Sequence, residues 1–233
     1  MRLDTDFFEQ CAFVSVDFQE GGRGGRMCDA ELPALWKEMG FTAGDVNAAS
    51  DFGWDVARPN AIRVVEACRS IGLSMVFIHW GHLYPDGMDL DPIIRRTMLE
   101  AHGTDYAKWG GRIGENGSRP PEAFAVRPGE YVMAKTAQDA FISSNIEFLL
   151  HNLGVRNLVF IGGHTEACLG KTSTSAKRKG FITLCVEDAT FNARESTRLK
   201  GIHESQYDFV VKTDEFLALV EKRNAEYAAL KGN

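Results

Sequence analysis

A cysteine at the start of a predicted helix is the residue of this chain whose setting most strongly indicates chemistry. Cys168 lies in the segment LVFIGGHTEACLGKTSTSAKRKG, residues 158–180, after an apolar run and a Gly-Gly turn. A thiol in the first turn of a helix meets the positive end of the helix dipole and several free backbone N–H groups, which favour the thiolate and could stabilise an oxyanion. This arrangement predicts a nucleophile.

Two charged residues occupy comparable positions elsewhere in the chain. Asp17 follows the apolar run 11–16, and Lys135 follows the run 131–134. With the thiol they would supply a nucleophile, a proton carrier and a cation that lowers the thiol pKa. Taken singly, each residue has a structural alternative, since an isolated cysteine is most often a buried apolar side chain, Asp17 could cap a turn and Lys135 could be a solvated charge. Their shared position at strand ends favours a catalytic site.

Short apolar runs that alternate with helical segments must position these residues. Strand-like runs occupy residues 11–16, 73–78, 131–134, 158–161, 182–186 and 209–211. Helical spacing of apolar residues occupies residues 61–71, 144–152 and 165–179. Strands that are apolar on both faces are typical of a parallel sheet covered by helices. We therefore predict a single α/β domain, residues 1–233, with a doubly wound, mostly parallel six-stranded sheet and helices on both faces, a Rossmann-like three-layer sandwich.

Two longer segments, residues 20–55 and 81–129, interrupt this alternation. The first is rich in glycine at its start, and the second holds many of the prolines and exposed-type charges. Ligands of open α/β sheets bind outside the carboxyl ends of the strands. Long excursions from those ends are expected to form the walls and the cover of such a crevice.

Composition narrows the class of partner. The chain has 233 residues, 44% of them hydrophobic, and a formal net charge of -6, which gives no bulk reason to bind nucleic acid or an anionic membrane. No window holds the roughly 18 uninterrupted apolar residues of a membrane span, and the first residues lack the pattern of a secretory leader. Five scattered cysteines form neither a disulfide scaffold nor a CxxC pair. We expect a cytoplasmic protein with a small-molecule partner.

Three motifs resemble the landmarks of the isochorismatase-like cysteine hydrolases in order and spacing. They are VSVDFQ (14–19), VMAKTAQDAF (132–141) and GGHTEACLGKTSTSAKRKGF (162–181). The resemblance implies a catalytic triad of Asp17, Lys135 and Cys168 on a parallel sheet. It also implies a cis peptide bond before His164, an oxyanion hole made by the backbone N–H groups of His164 and Cys168, and a homo-oligomer, either a dimer or a tetramer.

The same resemblance favours the amidohydrolase branch of the family, which cleaves C–N bonds of small amide, carbamoyl or ureido compounds through a covalent cysteine intermediate. Metal-binding members carry an Asp-x-His pair after the second strand, whereas Phe77 stands at that aspartate position here, so we predict neither metal nor cofactor. Two alternatives stay open, a vinyl ether hydrolase of the isochorismatase type and a catalytically silent binding protein. Candidate substrate-binding residues are Phe18, Gln19, His79, Trp80, His82, Asp139, Phe141 and Thr165.

Overall fold

A six-stranded parallel sheet forms the centre of the described part of the chain. The computed structural model describes residues 2–21, 23, 25–115 and 117–231; the other positions of the predicted 1–233 domain lie outside the described residues. The strands are β1 (Cys11–Val16), β2 (Ser74–Trp80), β3 (Tyr131–Lys135), β4 (Asn157–Gly162), β5 (Ile182–Thr190) and β6 (Phe209–Val211). They lie in the order β3-β2-β1-β4-β5-β6, and every pairing is parallel. The predicted doubly wound sheet is confirmed.

Helices cover both faces of this sheet. The α-helices are α1 (Ala34–Glu38), α2 (Ala43–Phe52), α3 (Arg58–Ser70), α4 (Pro92–His102), α5 (Ala140–Ser143), α6 (Ile146–Asn152), α7 (Cys168–Arg178), α8 (Glu195–Glu204) and α9 (Thr213–Lys231). A π-helical segment, Gly53–Ala57, joins α2 to α3, and short 3₁₀ turns lie at Thr5–Phe8, Tyr106–Lys108 and Glu122–Phe124.

Alternation along the strands divides the apolar core into two layers. Phe13, Phe77 and Val159 point to the face covered by α3 and α9. Val14 and Phe160 point to the opposite face, where α5, α6 and α7 pack. Successive residues of a strand face opposite sides, so a strand buried on both sides is largely apolar, as β1 is apart from Ser15. The sheet thus lies between two layers of helices, which hold the central strands in place from both faces.

The structure differs from the sequence-based expectations at several boundaries. The last helix of the motif region begins at Cys168 rather than at residue 165, because the three residues before the cysteine form a turn in which the Ala167 N–H donates to the His164 carbonyl. Strand β5 extends to Thr190, because it pairs again with Gly162 after a register shift. The segment 20–55 contains α1 and α2, and the segment 81–129 contains α4.

The carboxyl ends of β1 and β4 meet where the strand order reverses, the usual ligand position in doubly wound sheets. Gly162 ends β4 with a φ of +110°, and a Cβ there would clash with the carbonyl oxygen of Val16. Only glycine combines this φ with so close an approach of two backbones. The approach brings the residues after β1 beside the loop that leads into α7.

Gly162→Ala is expected to lower the free energy of unfolding by about 3 kcal/mol or more, because strained φ and overpacking each cost roughly 1–3 kcal/mol. Chemical denaturation measures the change. Gly110→Ala is the matched control, since no atom lies within 4 Å of a Cβ built there. Equal stability of the two variants would contradict the argument.

Candidate active site

Asp17, Lys135 and Cys168 meet at the carboxyl edge of the sheet. Asp17 directly follows β1, Lys135 is the last residue of β3, and Cys168 is the first residue of α7, the helix that follows β4. The Asp17 backbone lies in the left-handed region with a φ of 54°, which aspartate tolerates better than most residues. The Asp17 N–H donates to the Ile78 carbonyl at 2.8 Å, so its backbone is held between β1 and β2.

The lysine and the aspartate form a buried ion pair. Lys135 Nζ is fully buried and donates to Asp17 Oδ2 at 2.8 Å and to the Ala137 carbonyl at 3.2 Å. Burial on its own would lower the pKa of Lys135, but Asp17 and Cys168 together raise it. Asp17 Oδ1 is also buried and has no hydrogen-bond partner among the described residues. One carboxylate oxygen is therefore held by the lysine, while the other is open to accept a proton.

The electrostatics of Cys168 differ from the sequence-based expectation of a thiolate at a helix start. Burial and the neighbouring Asp17 carboxylate raise the pKa of the thiol to about 12, and the opposing effect of Lys135 is smaller. The expectation rested on the helix dipole and the lysine, but it took no account of desolvation and the nearby anion. The resting side chain is a thiol, so its deprotonation needs a base.

Two backbone N–H groups lie at the turn that carries the cysteine. Within the described residues, the N–H groups of His164 and Cys168 donate no hydrogen bond, whereas those of Thr165, Glu166 and Ala167 all do. The peptide bond between residues 163 and 164 is cis. Free N–H groups beside a nucleophile can stabilise the oxyanion of a tetrahedral intermediate.

A cavity of about 1020 Å³ opens above the cysteine, and three of the candidate substrate-binding residues line it, Phe18, Gln19 and Trp80. Phe18 packs edge-on against Phe191, with ring centroids 4.9 Å apart. The Gln19 side chain has a structural role, because it donates to the Trp80 carbonyl at 3.0 Å and accepts from the Trp80 N–H at 2.8 Å. The Gln19 amide therefore positions the end of β2.

The two histidines after the second strand do not line this cavity. His79 is buried, and its Nδ1 lies 3.0 Å from Ser118 Oγ. Burial lowers the pKa of His79. His82 is buried too, with its Nδ1 2.8 Å from the Tyr84 carbonyl oxygen. Both rings stabilise the loop 81–118, and the idea that they contact substrate is not supported by their placement.

Three further candidates also lie away from the main cavity. Asp139 caps α5 by accepting from the Phe141 N–H at 2.9 Å, and it also accepts from Ser175. The Phe141 ring packs against Phe181, with centroids 6.2 Å apart. Thr165 is buried and lines a smaller cavity of about 380 Å³ behind α7. The capping role of Asp139 and the packing role of Phe141 follow from the tertiary structure, and the motif spacing gave no sign of them.

Sequence reasoning missed most of the cavity wall. Trp36 and Trp54 reach the cavity from the segment 20–55, and Met98 reaches it from α4. The sequence predicted that these segments form walls without indicating which side chains face inward. Amphipathic spacing in α4 was the one available signal.

An ion pair at the cavity edge joins the cysteine motif to the chain after β5. Glu166 accepts from Asn192 Nδ2 at 2.8 Å, from Thr197 Oγ1 at 2.5 Å and from Arg194 at 3.3 Å. Burial raises the pKa of Glu166, but these hydrogen bonds outweigh it and lower the pKa overall. Arg194 also donates to the Met39 carbonyl at 3.1 Å, so the pair ties α1 to the cysteine turn.

Two general features of the described residues bear on partners. No three His, Cys, Asp or Glu side chains among them converge so that they could hold a metal ion. No helix in the same part of the chain combines the length and apolar character that crossing a bilayer requires.

Comparison with known proteins gives relatives at low identity. The protein is 24% identical over 164 residues to ureidoacrylate amidohydrolase RutB of Azorhizobium caulinodans, covering 60% of this chain and 67% of the relative. It is 27% identical over 137 residues to the protein of the same name from Variovorax paradoxus, covering 56% of this chain and 54% of that relative. The chain thus aligns with only part of each relative.

Solved structures share the fold across nearly their whole length. N-carbamoylsarcosine amidase from Thermoplasma acidophilum superposes with a TM-score of 0.61 at 24% identity, covering 88% of this chain and 96% of that one. A cysteine hydrolase from Pseudomonas syringae pv. phaseolicola gives a TM-score of 0.67 at 13% identity, covering 95% and 97%. The Isochorismatase domain model matches residues 11–214. Because this match spans most of the chain, the protein belongs to the isochorismatase family.

Proposed function

We propose that this isochorismatase-family hydrolase cleaves a C–N bond of an amide, carbamoyl or ureido compound through a covalent intermediate on Cys168. The observation that carries the proposal is the divided role of the Asp17 carboxylate, whose Oδ2 accepts from Lys135 while Oδ1 has no partner among the described residues. A raised thiol pKa next to such a carboxylate suits a nucleophile that is deprotonated only during reaction. The names of the relatives support C–N cleavage.

The proposed reaction begins when Asp17 takes the proton of Cys168 and the sulfur attacks the substrate carbonyl carbon. The N–H groups of His164 and Cys168 stabilise the resulting oxyanion. Asp17 then gives the proton to the departing nitrogen, so that ammonia or an amine leaves and a thioester or carbamoyl-thiol remains. Asp17 next takes a proton from water, the hydroxide attacks this intermediate, and the acid is released as the thiol is restored. Lys135 holds the Asp17 carboxylate in position through these steps by donating to Oδ2.

A substrate panel tests the reaction class. Purified protein is incubated with amides, ureides, carbamoyl amino acids, biuret-like compounds and nicotinamide, and ammonia release is measured. Release from at least one of them is expected. The vinyl ether alternative predicts pyruvate from isochorismate without ammonia from any amide, and the silent-protein alternative predicts neither product.

The His164 side chain is expected to contribute to substrate binding. Its ring lines the cavity, packs edge-on to Phe191 with centroids 5.4 Å apart and makes no hydrogen bond within the described residues. His164 is exposed at the cavity, and desolvation by the protein around the ring lowers its pKa. His164→Ala should raise KM about 3- to 10-fold, the value of one hydrogen bond, and change kcat little because the backbone N–H remains.

Steady-state kinetics at several pH values check this expectation. The KM advantage of the wild-type protein over His164→Ala should persist at pH 7 and disappear as the pH falls through the lowered pKa, because protonation removes the acceptor nitrogen. His102→Ala is the matched control, since this exposed histidine at the end of α4 is not part of the cavity. A large loss of kcat in His164→Ala would contradict a binding role.

Other sequence-based expectations stay predictions. They are the single-domain organisation over residues 1–233, the homo-oligomeric state and the cytoplasmic location. Sedimentation of the purified protein measures the oligomeric state directly.

A further inference from the structure

The size of the cavity above Cys168 indicates the scale of its ligand. Its volume is about 1020 Å³, at the upper end of the roughly 300–1,000 Å³ of pockets that hold drug-sized ligands. A small amide would occupy only a part of this space beside the thiol. The remainder must hold another portion of the substrate or water.

One part of the cavity wall consists of aromatic and aliphatic side chains that do not belong to the hydrophobic core. Trp36, Phe41, Val46 and Trp54 line the cavity, and none of them belongs to the two clusters that fill the layers beside the sheet. The rings of Trp36 and Phe41 lie 5.0 Å apart in a tilted stack. Apolar groups held against a cavity are stabilised when an apolar ligand covers them.

Helix α4 forms a second part of the cavity wall, and its apolar side chains also face the cavity instead of the core. It contains no buried residue, yet Ile93, Ile94 and Met98 on its apolar side line the cavity. Its position is fixed against α1, because the Leu35 N–H donates to Glu100 Oε2 at 3.1 Å. An amphipathic helix normally turns its apolar face to a core, and in α4 that face turns to the cavity.

The charged residues that line the cavity are Asp17, Arg58, Glu166, Lys171, Arg194 and Glu204. Asp17 pairs with Lys135, whereas Lys171 donates to the Gln138 side-chain oxygen and has no carboxylate partner among the described residues. Glu166 pairs with Arg194, and Glu204 pairs with Lys200 at 3.6 Å. Arg58 stacks on the Trp54 ring with its guanidinium carbon 4.5 Å from the ring centroid, and this contact extends the flat surface that a ring could cover. The part of the wall formed by α1, α2 and α4 is therefore mainly apolar, whereas Arg58, Lys171 and Gln138 give the rest of the wall a polar character.

We propose that the substrate carries a large apolar group, preferably a ring system, that occupies the space between α1, α2 and α4 while its C–N bond lies at Cys168. The inference rests on the proposed amide hydrolysis and specifies its substrate class. Under this proposal, the preferred substrate of this chain is larger and less polar than the small ureido acid in the relatives' name.

Matched pairs of substrates test the proposal. N-carbamoylglycine is compared with N-carbamoylphenylalanine, and acetamide with phenylacetamide. Burial of one aromatic side chain is expected to raise kcat/KM about 10- to 100-fold for the larger member of a pair. Equal or better turnover of the small members would overturn the inference and leave the amide hydrolysis standing. Turnover of no member would count against the proposed function instead.

Binding then decides the size preference independently of turnover. The Cys168→Ala protein is titrated with the same compounds while the fluorescence of the cavity tryptophans is followed. Tighter binding of the larger members by about 10-fold or more supports the apolar site, and equal binding overturns it.

A cavity-filling variant adds a structural control. Val46→Trp places a large ring inside the cavity and should lower the ratio of large to small substrate turnover about 10-fold or more. Val56→Trp is the matched control, because Val56 is exposed and lies outside the cavity lining. Circular dichroism verifies that both variants fold. If the ratio of large to small substrate turnover is unchanged in Val46→Trp, the cavity does not hold the apolar group of the substrate. Sedimentation of the same variant identifies the other occupant. A sedimentation coefficient that differs from that of the wild-type protein would indicate that a second copy of the chain fills the cavity.

Discussion

Cys168→Ala is expected to lower kcat/KM for C–N hydrolysis by about 10⁴-fold or more, because removal of a covalent nucleophile costs roughly 10⁴–10⁶ where it acts with a base as a unit. The alanine leaves both backbone N–H groups in place and removes only the sulfur. Because the side chain is half-buried, the loss of packing should cost little stability. Ammonia release measures the rate, and a thermal melt verifies the fold.

Cys28→Ala provides the matched control for this variant. Cys28 is exposed and does not line the cavity, so its replacement should leave the rate within about twofold. Mass spectrometry of denatured protein stopped with acid during turnover should show an adduct on wild-type Cys168. If Cys168→Ala retained activity close to that of Cys28→Ala, the covalent mechanism would be wrong.

Asp17→Asn is expected to lower kcat by about 10²–10⁴-fold, the usual contribution of general acid–base catalysis. The asparagine keeps a carbonyl oxygen that can accept from Lys135, but it cannot take the thiol proton. The same substitution removes the anion that raises the pKa of Cys168 while Lys135 remains, so the thiol pKa should fall below its value of about 12.

Hydrolysis and alkylation should therefore change in opposite directions in Asp17→Asn. Iodoacetamide labelling of Cys168 at pH 8 to 9 should become faster, because a larger fraction is thiolate, whereas ammonia release should become slower. Asp105→Asn is the control, since that carboxylate is exposed and pairs with Lys108. If labelling and hydrolysis both slowed, Asp17 would act by holding the fold of the site and not as the base.

Most of the fold follows from local patterns in the sequence. All six strand-like runs correspond to strands. The central strands β1 and β4 are buried on both faces and are therefore largely apolar, which made them visible in the sequence. The boundaries were less accurate where pairing decides them. Residues 187–190 carry no apolar run, yet they extend β5, because Gly162 offers a backbone partner only in the folded sheet.

Some residues of the candidate site could be identified from the sequence, and the roles of others became clear only in the tertiary structure. Asp17 and Lys135 were identified because each terminates an apolar run, and parallel strands bring their carboxyl ends to one edge. His79 and Asp139 were candidate substrate-binding residues, but the His79 ring lies against the Ser118 hydroxyl and the Asp139 carboxylate caps the start of α5. Which polar groups remain free depends on distant partners that sequence spacing does not contain.

The sequence by itself determined that a carboxylate, an ammonium and a thiol would share one edge of a parallel sheet, because strand ends are local features. Tertiary structure alone decided the state of the thiol, since its pKa depends on burial and on the Asp17 anion. It also decided the ligand space, because Trp36 and Trp54 and the apolar face of α4 face the cavity only through the packing of two long segments. Local sequence sets where a strand ends, whereas burial and enclosure arise from contacts between residues far apart in the chain.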